Sequence, residues 1–424
     1  MQIVRDPIWQ NIEFPESLSK IIETSEFLRL NDIKQLGPTY LVYPGATHTR
    51  FAHSLGVYHV ANCMIHSFIN KGFDFFSDEG VKAFKIASLC HDLGHFPYTH
   101  ALKELPLLDH EKLTGLIITQ SNLSKVIEEC GVNPEFVAKI IDKELETDNK
   151  EIIFFRKILS GVLDPDKLDY LNRDAFYCGV PYGIQDTDFT INSIIPDSEK
   201  GITVDSKSIV AIENLLFSKY LMYRTVYWHK NVRIATAMMK KTLFAALSAN
   251  QLKDKDLYDL TDNQLVTLVD SKTDDEIWHC AKKLFEKKLY QIVFEADFCP
   301  DNPIHVKMQD LQYRTKVEKE IARHFNMNNC SLLVDIPEKI SFESNIWIND
   351  ENCEFSKSPT VFSEYTVKSF TEKLRKIRIA IDGSVFERKS EKDLQNMKKF
   401  ISEVLQYEKN GTGADYEDSY HYRR

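Results

Sequence analysis

Three features of the sequence predict a mainly α protein with a smaller C-terminal α+β lobe. Apolar residues recur at helical spacing through most of the first 250 residues. A stretch from 206 to about 248 contains neither glycine nor proline. After about residue 250 the composition shifts to short β-branched and aromatic runs set between helical segments. The expected division is a helical core over 1–250, an α+β lobe over 251–408, and a polar, glycine-containing tail over 409–424 that reads as disordered.

Residues 15–30 carry Leu18, Ile21, Ile22, Phe27 and Leu30 as one apolar set, which predicts an amphipathic helix. Residues 36–46 hold Gly37-Pro38 and Pro44-Gly45 and read as turn or extended chain. A helix over 49–68 carries His53. An apolar helical run starting near Val81 leads into His91, and a loop follows through Pro97 and Pro106. Asp109 suits the N-cap of a helix over 109–118. Helices over 152–163 and 167–176 are separated by Asp164-Pro165. Isoleucines alternate with polar residues over 189–204 around Asp197-Ser198-Glu199-Lys200-Gly201, which predicts a hairpin. Residues 206–248 read as one long helical stretch. Strands are expected over 287–298, 330–336, 346–348 and 377–381, and helices over 313–325 and 389–407.

The chain has 424 residues, 43% hydrophobic and 27% charged, enough for two or three buried cores. Its eight cysteines stand singly, with no zinc-ribbon spacing. The segment 1–6 reads without an apolar signal region, and no uncharged run reaches the ~18 residues of a membrane helix. A reducing, cytoplasmic setting without membrane attachment is the expectation. A net charge of −10 argues against a broad nucleic-acid face but leaves room for a small basic pocket. The lysine-rich run over 388–399 is interleaved with acids and reads as a solvated helix face.

The chemistry concentrates at His91-Asp92-Leu93-Gly94-His95. An adjacent His-Asp pair offers a metal one imidazole nitrogen and one carboxylate oxygen. On a continued helix, His95 would lie over the face of His91, about 6 Å along the axis. Eight of the thirteen histidines fall between 48 and 110. His53 on one helix, His91 and Asp92 on a second, and Asp164, Asp166, Asp169 or Asp174 on a third make a candidate divalent site. Two imidazoles with two carboxylates suit Fe, Mn, Co, Ni or Zn, and the carboxylates tolerate Mg. Arg50, three residues before His53, shares its helical face.

Several motifs resemble the HD-domain phosphohydrolases, in the branch of the deoxynucleoside triphosphate triphosphohydrolases. They are Ile33-Lys34-Gln35-Leu36-Gly37, the segment 43–56 with Arg50-Phe51-Ala52-His53, and His91-Asp92-Leu93-Gly94-His95. His110-Glu111, Asp166-Lys167-Leu168-Asp169-Tyr170 with Arg173-Asp174, and Tyr227-Trp228-His229-Lys230 complete the set. The resemblance covers roughly residues 1–250. It implies a helical HD core, with His53, His91, Asp92 and Asp166 as metal ligands. It implies phosphate contacts from Arg50, His95, Lys167, Lys219 and His229, and catalytic roles for His110, Glu111 and His100. It places Gln35, Leu36, Tyr170, Asp174 and Tyr227 around a deoxyribose. In the family's human member an acid follows the second catalytic histidine by three positions; here that position is Lys103, with Glu104 next. His48, His59, His66, His279, His305, His324 and His421 have no matching partner and read as structural or surface residues.

The implied reaction is metal-dependent hydrolysis of a dNTP to deoxynucleoside and inorganic triphosphate, by a homo-oligomer (dimer or tetramer). The alternatives are an HD-type phosphodiesterase or phosphomonoesterase on another nucleotide, and a non-catalytic nucleotide-sensing scaffold. An allosteric nucleotide is a further implied partner. At positions where the human member reads an activating guanine nucleotide, this chain has Glu23, Leu28 and Asn31. Leu28 has no group to hydrogen-bond a base, and Asn31 lacks the charge of an arginine. Hydrolysis of a single dNTP is therefore expected without GTP, or with a different activating nucleotide. Assays of each dNTP with and without GTP check this, and strict GTP dependence with GTP bound beside Glu23 would overturn it.

Overall fold

The chain opens with an antiparallel hairpin of β1 (Gln2–Asp6) and β2 (Gln10–Phe14). Asp6 closes its turn by accepting the backbone N–H groups of Ile8 and Trp9. Gln10 completes the turn in a left-handed conformation, φ 63°. The computed structural model describes residues 2–273, 276–340 and 342–406. The expected tail and His421 lie outside them.

Helices dominate, in a mainly α core with a small C-terminal α/β part. Those that carry the site begin at side-chain caps. Thr49, Ser77 and Asp109 accept backbone N–H groups at the starts of Arg50–Asn70, Asp78–Cys90 and His110–Gln120. Asp164 caps Pro165–Cys178, where the proline takes the first helical position and needs no N–H partner. Gly179 ends that helix in the left-handed region, φ 66°.

Three expectations from periodicity are corrected by local hydrogen bonding. The single helix over 15–30 is three pieces, Glu16–Ile22, Ser25–Leu28 and a 3-10 turn Arg29–Asp32. Extended Thr24 interrupts it, its hydroxyl accepting from Phe27. The stretch over 206–248 divides into Ile209–Met222, a π-turn Tyr223–Tyr227 and Lys230–Ser248. His229 leaves the helical region there, and its ring accepts the Asn231 N–H as an N-cap. The segment 189–204 is a hairpin only in its second part. Thr187–Ser193 is helical, and β3 (Ile195–Asp197) pairs with β4 (Gly201–Val204) across the Asp197 turn.

The second half contributes β5 (Gln291–Asp297), β6 (Leu332–Asp335), β7 (Trp347–Ile348), β8 (Cys353–Glu354) and β9 (Lys376–Ile381). β9 is the centre of an antiparallel sheet between β5 and β6. Helices Leu311–His324 and Glu391–Leu405 pack on it through Val317, Ile321, Met397 and Ile401. β7 instead pairs parallel with β4 and antiparallel with β8. Phe342, Ile346, Ile348 and Phe355 thereby join the apolar cluster of the first half, which also holds Tyr58, Phe84 and Leu168.

The Arg50–Asn70 and Pro165–Cys178 helices meet at Gly56. A Cβ there would lie 1.8 Å from Asp169 Oδ1 and 2.4 Å from the Arg173 guanidinium. Gly56→Ala is therefore expected to cost about 1–3 kcal/mol through overpacking. Thermal unfolding measures this, and an unchanged melting temperature would show that the helices need no such approach.

Candidate active site

The Asp78–Cys90 helix ends at Cys90, so residues 91–95 form turns rather than another helical turn. His95 does not stack over His91 along a helix as periodicity suggested. Thr114 holds this turn by donating to the His91 carbonyl and accepting from the Gly94 N–H. Gly94 is required by the close approach, since a Cβ would sit 2.2 Å from the His110 carbonyl.

His53, His91 and Asp92 place one donor atom each within 4.8 Å of one another. Asp166 Oδ1 lies 3.0 Å from His53 Nε2 and 3.8 Å from His91 Nε2. Both imidazoles are oriented from behind. His53 Nδ1 is 2.7 Å from Asp169, and His91 Nδ1 is 2.9 Å from the Ser88 carbonyl. Those partners place the ring proton on Nδ1 and aim the Nε2 lone pair into the cluster. His91 Nε2 is buried with no hydrogen-bond partner. A divalent ion fits this donor set of two imidazole nitrogens and two carboxylates.

Electrostatics favour anions at these carboxylates. Burial opposes the charge on Asp92, but His91, His95 and Arg50 hold its carboxyl well below the usual range. Burial likewise opposes the Asp166 charge, and His53 outweighs it, drawing the pKa to about 2. His53 itself is destabilised as a cation by burial and restored by Asp166 and Asp169, to about 10. A bound metal would replace that proton.

Sixteen of the seventeen residues implied by the motifs line one cavity of about 560 Å³. His53, His91, Asp92 and Asp166 stand at one part of it, with Arg50 2.6 Å from Asp92. Lys167 and Lys219 also line the cavity, as do Gln35, Leu36, Tyr170, Asp174 and Tyr227. His229 is the exception, placed instead at its helix cap and edge-on to Tyr43. Asp174 is buried between His48 Nε2 at 2.8 Å and the Tyr227 hydroxyl at 2.7 Å. Burial raises the Lys167 ammonium's desolvation cost, but Asp164 and Glu343 more than offset it and raise its pKa. Lys219 falls to about 8, first through burial and then through repulsion from Lys167.

His95, His100 and His110 form a second group of imidazoles. The ring centroids of His95 lie 4.1 Å from His110 and 4.7 Å from His100. Burial, then the Arg50 charge, pushes His95 and His100 well below the ordinary histidine range, so both are neutral near pH 7. The carboxylate beside His110 is Asp109, with Oδ1 3.5 Å from Nδ1. Glu111 faces Lys143 at 3.5 Å. Glu104 does not substitute for the acid absent at 103. Its carboxylate is taken by Lys240 at 2.5 Å and Arg314 at 3.0 Å.

Two partners of the site were not assigned roles from the sequence. His48, read there as structural or surface, orients Asp174. Asp169, one of four interchangeable acids there, orients His53. Trp9 Nε1 and Arg173 hold Asp169 in turn, and Arg173 also reaches Asp6 at 2.8 Å. The 166, 169, 173 spacing on one helix face carries part of this signal; the Trp9 contact spans 160 residues and has none.

Residues 191–362 match the family described as HD associated region. An uncharacterized protein of Methanocaldococcus jannaschii is 33% identical over 307 residues, 72% of this chain and 62% of that one. The human deoxynucleoside triphosphate triphosphohydrolase SAMHD1 is 28% identical over 375 residues, 76% of this chain and 59% of that one. A crystal structure of a hypothetical protein from Aquifex aeolicus superposes with a TM-score of 0.72 at 25% identity, covering 94% of this chain and 100% of that one. The chain thus spans about three fifths of the length of these two curated relatives. Fold, His-His-Asp cluster and these likenesses make the chain similar to the HD-domain phosphohydrolases. Within that class it is similar to the deoxynucleoside triphosphate triphosphohydrolases.

Removing the orienting carboxylate without its shape, Asp169→Asn, is expected to weaken divalent-metal binding about 10–100-fold. His91→Ala/Asp92→Ala should bind no metal while remaining folded. Metal content and calorimetric titration read both, and a double variant with full metal content would place the ion elsewhere.

Proposed function

We propose that the protein hydrolyses deoxynucleoside triphosphates to deoxynucleoside and inorganic triphosphate. The observation that carries this reading is one cavity with the His53–His91–Asp92–Asp166 donors, the cations Arg50, Lys167 and Lys219, and the Asp174–Tyr227–Tyr170 group all on its wall. The human relative's name supports the same reaction.

Held by those four donors, a divalent ion (Fe, Mn, Ni, Co, Zn or Mg) would supply Lewis-acid polarisation and a more acidic water. The chain's own residues do the rest. Arg50, Lys167 and Lys219 bind the phosphates and stabilise charge that develops on them. Water forms a bond to the α-phosphorus and releases a proton to solvent, the bond to the 5′ oxygen breaks, and that oxygen takes a proton. The motifs assign its delivery to His100, in a relay with His110, whose Nδ1 lies 3.5 Å from Asp109 Oδ1. Neutral His95 donates a hydrogen bond to a phosphate oxygen and stacks on His110, 4.1 Å between ring centroids, with His100 5.8 Å from His110. Asp174, fixed by His48 and Tyr227, accepts the 3′ hydroxyl, with Gln35 beside it. Leu36 and Tyr170 crowd the 2′ position. A dimeric or tetrameric cytoplasmic enzyme is part of the same reading.

dGTP is expected to be hydrolysed with a kcat/KM at least about 10²-fold above that of GTP, since a clash or a stranded buried polar group costs several kcal/mol. Product analysis over dNTPs, NTPs and cyclic nucleotides tests the whole proposal. Equal turnover of dGTP and GTP would remove the sugar gate. Orthophosphate or pyrophosphate as first product, or cleavage of cyclic nucleotides alone, would replace the reaction.

A further inference from the structure

An ammonium group has three N–H donors. At Lys167 all three have acceptors: Asp164 Oδ2 at 2.5 Å, Glu343 Oε2 at 2.8 Å and the Gly161 carbonyl at 2.9 Å. A phosphate reaches Lys167 only by replacing one of them. The three are not equally replaceable. Gly161 offers backbone in a tight turn, where even a Cβ would lie 2.7 Å from the Lys157 carbonyl. Asp164 is 2% exposed, and its other oxygen caps the Pro165–Cys178 helix through the Lys167 N–H at 2.7 Å. Displacing it would break the cap and strand a buried charge.

Glu343 differs on both counts. Its side chain is 44% exposed, so its carboxylate can turn into water at small desolvation cost. It also comes from the other half of the chain. The preceding Phe342 is buried in the first apolar cluster, with the Lys219 ammonium 5.6 Å from its ring. The backbone is therefore anchored while the carboxylate beyond it faces the cavity that Lys167 and Lys219 line.

Resting on the reading of Lys167 as a phosphate contact, we propose that Glu343 is a tethered anionic plug. It occupies the phosphate place on Lys167 and leaves when a polyanion enters. A ligand with one negative charge gains at Lys167 little more than Glu343 gives up. A polyphosphate has further charges for Arg50 and Lys219, so the plug discriminates by ligand charge.

The test is calorimetric titration of the full chain, wild type and Glu343→Gln, with inorganic tripolyphosphate and with orthophosphate. Glu343→Gln should bind tripolyphosphate about three- to tenfold more tightly, the range open to a half-exposed ion pair. The gain should vanish in a Lys167→Ala background. KM for dGTP should fall by a similar factor, with a smaller change in kcat. Equal or weaker tripolyphosphate binding by Glu343→Gln overturns the plug, as does a gain undiminished in Lys167→Ala. Failure of both proteins to bind tripolyphosphate refutes the phosphate site and the plug together. Tight tripolyphosphate binding without dNTP hydrolysis refutes the dNTP reading and leaves the plug standing.

Discussion

Asp169 is the group on which the rest of the structure depends. It is fully buried, and its two oxygens receive His53, Trp9 and two nitrogens of Arg173. A carboxylate in that position without these partners would cost several kcal/mol. The arrangement therefore forms as a set. Gly56 must leave room on one helix, Asp169 and Arg173 must stand one turn apart on another, and the β1–β2 hairpin must deliver Trp9 and Asp6. The same contacts that make the charge affordable fix the direction of His53, so folding and ligand geometry are one event.

From that anchor the Pro165–Cys178 helix distributes the chemistry by its period. Asp166 faces the imidazoles, Lys167 meets Asp164 and Glu343, and Tyr170 and Asp174 line the same cavity. One rigid helix thus sets the spacing between metal donors and the proposed sugar contacts. The imidazoles of His95, His100 and His110 come from different segments, brought together by the turn that Thr114 ties at residue 94.

The C-terminal half is part of this site. Glu338, Ile340 and Glu343 line the cavity. A chain of ion pairs, buried at Lys240, Arg233 and Asp335 and half-buried at Glu104 and Glu338, runs from Glu104 beside the His100 loop through Lys240, Glu338 and Arg233 to Asp335 on β6. Breaking one member would leave others buried and unpaired, so the network couples the position of the histidine loop to the sheet.

The sequence by itself determined the helical class, most elements of both halves and the residues that gather in the His-His-Asp cluster. Those features are written in local period and in residue chemistry: apolar spacing, Asp109 and Asp164 at caps, His91 next to Asp92. It misjudged continuity where a side chain captures the backbone, at Thr24, His229 and the turn after Cys90, because periodicity does not register a competing hydrogen bond. Only the tertiary structure decided which acids serve which partner. Asp164, Asp166, Asp169 and Asp174 are alike in chemistry, and their roles follow from what faces them: Lys167, His53 Nε2, His53 Nδ1 and His48. It also decided that Glu343 reaches Lys167 across 176 residues, since long-range pairing depends on how packed surfaces meet and leaves no local pattern to read.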